Sequence, residues 1–313
     1  MIWLLTTVQQ GLLFAATVFF VGCVSWRVFV APGVSASLID ARRHMGGLEH
    51  QVDQWARRTA LVLVTAWVLR MVAQLVAFRD PFAPLRDDLS LLLFQTTWGS
   101  VWMAQGIVVL GITMTTWLAL PRTPEAHQSS SSPRGGTAWS MLALLACALV
   151  TTLAMSGHAM GADAWRAAAV SADALHTLAA GSWIGTLAVI LLGASYRASP
   201  EVGSSAFGAQ IRRFSPIALL SGGALVAMGS VLSWTHLTGV SDLWETTYGR
   251  VLSTKIGVVI VILGLGFWNW RRGVPVSDRV EGVRDIRRRG VWEVGLAAVV
   301  IALTAILVHS TKP

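Results

Sequence analysis

Long apolar runs separated by short polar connectors make up most of the sequence. Each run is close to the ~20 residues that a helix needs to cross the hydrocarbon core of a bilayer. The pattern predicts eight membrane spans, called spans 1 to 8 below, at 6–30, 60–78, 98–120, 137–157, 174–192, 214–237, 251–270 and 291–309. It therefore predicts an all-α fold, a polytopic membrane helical bundle in which no separate soluble domain has room to fold.

Two segments interrupt this pattern. The apolar segment 89–98 adds too much length to span 3, which predicts a short helix lying in the membrane interface. The stretch 128–136, QSSSSPRGG, is polar and of low complexity, as is typical of flexible linkers. The chain is thus predicted to consist of a three-span segment at 1–125, a linker at 126–136 and a five-span segment at 137–313. No repeat is clear enough to predict inverted symmetry.

Charge predicts the orientation of the bundle. Only 13% of the residues are charged, whereas soluble proteins have roughly 25%. The connectors after spans 1, 3, 5 and 7 carry 16 Lys or Arg, and those after spans 2, 4 and 6 carry 4. Because basic loops stay in the cytoplasm, both termini are predicted to be periplasmic. The net charge of +8 is then explained by topology and contacts with anionic lipids of the bilayer, without a nucleic-acid partner.

Four of the seven histidines fall at the outer face in this topology: His158, His176, His236 and His309. Met155 and Met160 flank the first of them. Imidazole nitrogen binds copper well, and thioether sulfur favours Cu(I), so two to four of these side chains around one ion would form a copper site. The alternative is that each histidine is an interfacial residue bonded to backbone or water. The remaining three, His44, His50 and His127, lie among cytoplasmic arginines and are predicted to be solvated.

Three ionisable residues lie inside the predicted spans. Arg70 is near the middle of span 2, where an isolated charge is costly, so it is predicted to face the bundle interior and to be functional. Lys255 lies near the outer end of span 7 and Glu293 near the cytoplasmic start of span 8, so these two are not expected to pair. Either of them could instead extend its charge to the membrane surface.

Several motifs of the second half together resemble the copper-resistance protein D (CopD) family. They are the run 242–255 (DLWETTYGRVLSTK, with Tyr248 and Lys255), Asn269 at the end of span 7, the Ser156-Gly157-His158 exit, the His176-x6-Trp183 helix, the basic connector after span 7, and Glu293 in span 8. The resemblance implies a multi-pass protein of the bacterial inner membrane that moves copper, as Cu(I) or Cu(II), inward. It also implies a small periplasmic copper-binding protein as partner. The chain has no Met- or His-rich extramembrane segment, so this partner is expected to be a separate protein.

Two other functions remain open on the residues alone. Paired histidines on facing helices also hold b-type haem, and His176 and His236 would be the axial ligands. A metal-free structural membrane subunit is the third possibility. The sequence has no Walker motif, nucleophile elbow or HExxH motif, so no enzymatic activity is predicted unless haem is bound.

Overall fold

The structure, a computed structural model, describes residues 2–34, 39–123, 133–157, 165–194, 200–234, 239, 241–277 and 280–308. These residues form helices and no strand. The α-helices of spans 1 to 4 are Ile2–Ser25, Ile39–Phe78, Thr97–Leu118 and Pro133–Met155, and span 1 ends in a π-helical segment, Trp26–Val30. Span 5 consists of Arg166–Ala180, the π-helical segment Gly181–Gly185 and Thr186–Gly193. Spans 6 to 8 are Pro200–Trp234, Thr247–Trp268 and Val280–Val308, and span 7 ends in a π-helical segment, Asn269–Gly273. Two short helices, Leu85–Phe94 and Asp242–Glu245, precede spans 3 and 7.

All eight long helices are long and apolar enough to cross a membrane, which confirms the predicted all-α bundle. Several begin earlier than hydropathy predicts, at Ile39 for span 2, Pro200 for span 6 and Val280 for span 8. Each added segment contains arginine and glutamate, which favour helix but not hydrocarbon. Hydropathy therefore marked only the apolar part of each helix. The end of the bundle where these charged extensions lie is called the arginine end below, and the opposite end the histidine end.

Span 5 requires a correction that affects the site. Its helix begins at Arg166 and not near residue 174, because the segment 166–172 (RAAAVSA) is alanine-rich and strongly helix-forming. His176 was expected about one turn inside the helix. It lies ten residues from the helix start, about 15 Å at the rise of an α-helix. The extra turns of span 5 therefore precede His176, whose ring packs against Gly229, five residues before the described end of span 6.

Span 1 is at the centre of the bundle. It packs against spans 2, 4, 5 and 8, and 67% of its most apolar stretch is buried, the largest share among the eight spans. A Cβ atom at Gly22 would clash with the backbone of Gly185 in span 5, so the two helices touch backbone to backbone. Small residues permit such close approach within membranes. At the arginine end, Trp26 Nε1 donates a hydrogen bond to Gln210 Oε1 of span 6 at 2.8 Å.

The turns that lead into spans 3 and 7 have the same structure. Thr96 caps the first and accepts from Gly99 N at 3.0 Å, while Thr246 caps the second and accepts from Gly249 N at 2.9 Å. Each glycine lies against a carbonyl of the preceding short helix, where a Cβ atom would clash. The sequences TTWG and TTYG repeat in the same orientation, since both helices enter from the histidine end. This parallel repeat was missed because its common signature is so short.

Candidate functional site: a polar cluster within the bundle

Of the six predicted copper ligands, the described residues include His176 and Met155. His158, Met160, His236 and His309 lie outside them. Met155 is the last helical residue of span 4 and is 38% exposed at the bundle surface. The described residues contain no group of three or more His, Cys, Asp or Glu side chains placed to hold a metal ion.

His176 lies between spans 5 and 6. Its ring packs against Gly229, where a Cβ atom would lie 3.3 Å from His176 Cε1 and 3.6 Å from Nδ1. The ring lies close to the backbone of Leu225 in span 6, and its buried Nδ1 has no hydrogen-bond partner of normal geometry among the described residues. Since most buried polar side-chain atoms are hydrogen-bonded, an unpartnered imidazole nitrogen inside a membrane bundle calls for an explanation. A bound ligand would satisfy it.

Two ionisable side chains lie near His176 and were not predicted to be part of the site. Asp173 is one turn before His176 on the same helix face, and its Oδ2 lies 3.7 Å from the position of a Cβ atom at Gly157. Lys255 reaches towards this region from span 7, and its charge acts on both Asp173 and His176. Asp173 was missed because the predicted span 5 began one residue after it, so the carboxylate was counted with the connector.

Arg70, for which the sequence suggested no partner, is 9% exposed and lies between spans 2, 3 and 4. Its Nη1 donates to Gln105 Oε1 at 3.2 Å, and its Nη2 donates to the carbonyl of Ser156 at 3.5 Å. The guanidinium also lies 5.9 Å from the centre of the Trp98 ring. Arg70 therefore faces the bundle interior, as predicted, and contacts the backbone two residues before His158.

A pair of tryptophans holds spans 2 and 3 together beside Arg70. Trp67 and Trp102 stack at 4.2 Å between ring centres, and each indole donates to the other's carbonyl, at 3.0 and 3.1 Å. Gly106 leaves the space that the Trp67 ring occupies. This reciprocal arrangement fixes the helices that position Arg70 and Gln105.

Trp183 and Glu293 lie deeper, towards the arginine end. The Trp183 ring packs over Gly222 of span 6 and Gly266 of span 7, at 3.4 and 2.8 Å from their would-be Cβ atoms. Glu293 is 2% exposed and accepts a hydrogen bond from Asn269 Nδ2. Asn269 Oδ1 in turn accepts from Arg289 Nε at 2.8 Å. Lys255 and Glu293 thus belong to two separate clusters, on opposite sides of Trp183.

Two other predicted residues have structural surroundings. Tyr248 is buried and packs with Leu252 and Leu307, so it supports the start of span 7. His44, predicted to be solvated, is 9% exposed, because the helix of span 2 carries it inside the packed arginine end. His50 is half-buried and shares a 2.9 Å hydrogen bond with Gln54, and His127 lies outside the described residues.

Comparison with known proteins gives the family. Residues 1–169 match the copper resistance protein D-like N-terminal domain, and residues 208–307 match copper resistance protein D. The chain therefore belongs to the copper resistance protein D family of membrane proteins. It is also 25% identical over 308 residues to the copper transport protein CutJ of Bacillus subtilis, covering 95% of this chain and 51% of that relative. The chain thus spans about half the length of the curated relative it matches, and no solved structure matches it.

Proposed function

We propose that this protein carries copper inward across the bacterial inner membrane and that His176 is a ligand on the copper route. The observation that supports the proposal most is the buried Nδ1 of His176, which has no hydrogen-bond partner of normal geometry among the described residues, in a chain of a copper resistance family. A neutral imidazole nitrogen is a strong donor for copper. Copper is the cargo here, and no enzymatic activity is part of the proposal.

The positions of the other histidines suggest how the site is completed. His158, His236 and His309 follow the described ends of spans 4, 6 and 8, and His176 packs against Gly229, five residues before the described end of span 6. His158 and His236 would share one copper ion with His176 at the histidine end, and His309, Met155 and Met160 would contribute to its capture. A separate small periplasmic copper-binding protein would deliver copper to this face.

The charges beside His176 fit a cation site that is neutral before copper arrives. Asp173 and Lys255 interact through their charges, and neither belongs to a direct ion pair of 4.0 Å or less among the described residues. The carboxylate of Asp173 would attract an arriving copper ion, and the Lys255 ammonium would repel it. Removing each charge should therefore change copper affinity in opposite directions.

The decisive experiment is an anaerobic copper titration of the detergent-purified protein. Asp173→Asn and His176→Ala should weaken binding, while Lys255→Met should strengthen it. His158→Ala and His236→Ala should each weaken binding strongly but combine non-additively with His176→Ala, because ligands of one ion act as a unit. His127→Ala, in the predicted linker, is the control and should bind like the wild type.

Two further measurements separate this proposal from its alternatives. Protonated histidine cannot ligate a metal, so binding should fall as the pH is lowered. An absorption spectrum tests haem directly, since b-type haem gives an intense Soret band. Wild-type copper binding in both His176→Ala and His236→Ala would exclude this site, and a Soret band lost in those variants would assign the histidines to haem.

A further inference from the structure

A cavity of about 300 Å³ lies between spans 5, 6, 7 and 8, in the half of the bundle nearer the arginine end. Its wall is apolar apart from three polar side chains, Ser215, Asn269 and Glu293. The carboxylate of Glu293 already accepts a hydrogen bond from Asn269, which is itself held by Arg289. The cavity therefore offers mainly hydrocarbon contact to whatever fills it.

The cavity opens sideways, towards the region that lipid tails occupy in a membrane. Leu219 on span 6 and Phe267 on span 7 both line it, and they are 59% and 61% exposed. Its lining on span 6 extends from Ile211 to Gly223, a rise of about 18 Å along the helix. One leaflet of hydrocarbon is about 15 Å thick, so this length suits one lipid acyl chain.

A basic groove continues from the cavity at the membrane surface. Phe267 lines both the cavity and the groove, whose other walls are Trp268, Arg271 and Arg272. The Arg272 guanidinium lies 5.4 Å from the centre of the Trp268 ring. Both arginines are exposed, and within the described residues neither takes part in an ion pair. The apolar cavity thus lies next to two cationic side chains, just as the acyl chain of a lipid lies next to its headgroup.

We propose that this cavity and groove bind one anionic phospholipid, with an acyl chain beside Trp183 and Gly223 and the phosphate at Arg271 and Arg272. Basic pockets between membrane helices recognise anionic headgroups in this way. The site is independent of the copper route, because the Trp183 ring separates it from His176. It lies in whichever leaflet the arginine end occupies.

Native mass spectrometry of the full-length protein tests the site without copper. The protein in detergent is titrated with phosphatidylglycerol or with phosphatidylcholine carrying the same acyl chains. One phosphatidylglycerol should bind at least about tenfold more tightly than phosphatidylcholine, which corresponds to ~1.4 kcal/mol. Arg271→Gln/Arg272→Gln should abolish this preference. Arg284→Gln/Arg288→Gln removes two exposed charges from the same end of the bundle and should leave the preference intact.

Binding of the acyl chain is tested by the same substitution at two glycines, one inside the cavity and one outside it. A Cβ atom at either Gly223 or Gly264 meets nothing within 4 Å, so larger residues fit both, but only Gly223 lines the cavity. Gly223→Leu should reduce binding of both lipids, and Gly264→Leu should not. Excess soluble glycerol phosphate should fail to displace the lipid. Unchanged binding in Gly223→Leu, or equal losses in the two double arginine variants, would overturn the proposal.

Discussion

Arg70 shows how this bundle accommodates a charge within an apolar membrane span. An arginine at the centre of a span disfavours membrane insertion by about 2.5–3.5 kcal/mol on insertion scales. Arg70 lies nearer the histidine end than the sequence predicts, close to Trp98 at the start of span 3 and Ser156 at the end of span 4, and it is still only 9% exposed. Here the guanidinium is held by Gln105, the carbonyl of Ser156 and the face of Trp98. Arg70 is therefore placed to fix the described end of span 4, two residues before His158 in the sequence.

We therefore expect Arg70→Leu to accumulate in the membrane at least as well as the wild type and to lose copper-dependent activity. The measurement is copper uptake by cells, normalised to the amount of protein in the membrane. The double variant Arg70→Leu/Gln105→Leu separates the role of the arginine in transport from its contribution to packing. It removes both partners of one hydrogen bond, so it should be at least as stable as Arg70→Leu and should still lack uptake. Full uptake by Arg70→Leu would mean that the arginine has no role in transport.

The residues of the candidate site could be predicted from the sequence only in part. Histidines and the isolated Arg70 are visible because few side chains of these types occur in apolar segments. Asp173 was hidden because it lies at the boundary that hydropathy assigned to span 5. Gln105, which is 0% exposed and pairs with Arg70, carries no charge, and the mean hydropathy of its span stays apolar in spite of it. Its role depends on packing between spans 2 and 3, which the sequence does not show.

At the scale of elements, the repeated turn before spans 3 and 7 depends on its glycine. Gly249 Cα faces the carbonyl of Asp242, so a methyl group there would force the short helix away from span 7. Overpacking of this kind costs about 1–3 kcal/mol. Gly249→Ala should thus lower the thermal stability of the purified protein. Gly99→Ala should do the same at the equivalent turn before span 3.

The same helix supplies the control for this prediction. A Cβ atom at Gly257 meets nothing within 4 Å, and alanine favours helix more than glycine by about 1 kcal/mol. Gly257→Ala should leave the melting temperature unchanged or raise it. If Gly249→Ala melts no earlier than Gly257→Ala, the turn is not a tight packing point.

The number and order of the helices could be predicted, because apolar length alone decides what can cross a bilayer. Their true ends could not, because helix-forming residues continue a helix beyond the hydrocarbon, arginine in spans 2 and 8 and alanine in span 5. The π-helical segments at Trp26–Val30, Gly181–Gly185 and Asn269–Gly273 were equally invisible. They depend on how neighbouring helices pack, and the second of them carries Trp183.

At the scale of the whole molecule, orientation is the main prediction that remains. Connectors at the arginine end carry 16 basic residues and those at the histidine end carry 4, so the arginine end should be cytoplasmic. A reporter inserted after Ser277, between spans 7 and 8, should behave as cytoplasmic. A reporter fused after Pro313 should behave as periplasmic. If both report the same compartment, span 8 does not cross the membrane and the shared histidine end is wrong.

The central position of span 1 has a consequence for biosynthesis. Of the eight spans, the one synthesised earliest has the largest buried share, and its Gly22 contact is made with Gly185, far later in the chain. Until span 5 is inserted, that face of span 1 must be covered by lipid or by a membrane chaperone. The nascent chain is therefore incompletely packed around span 1 until span 5 has been translated and inserted.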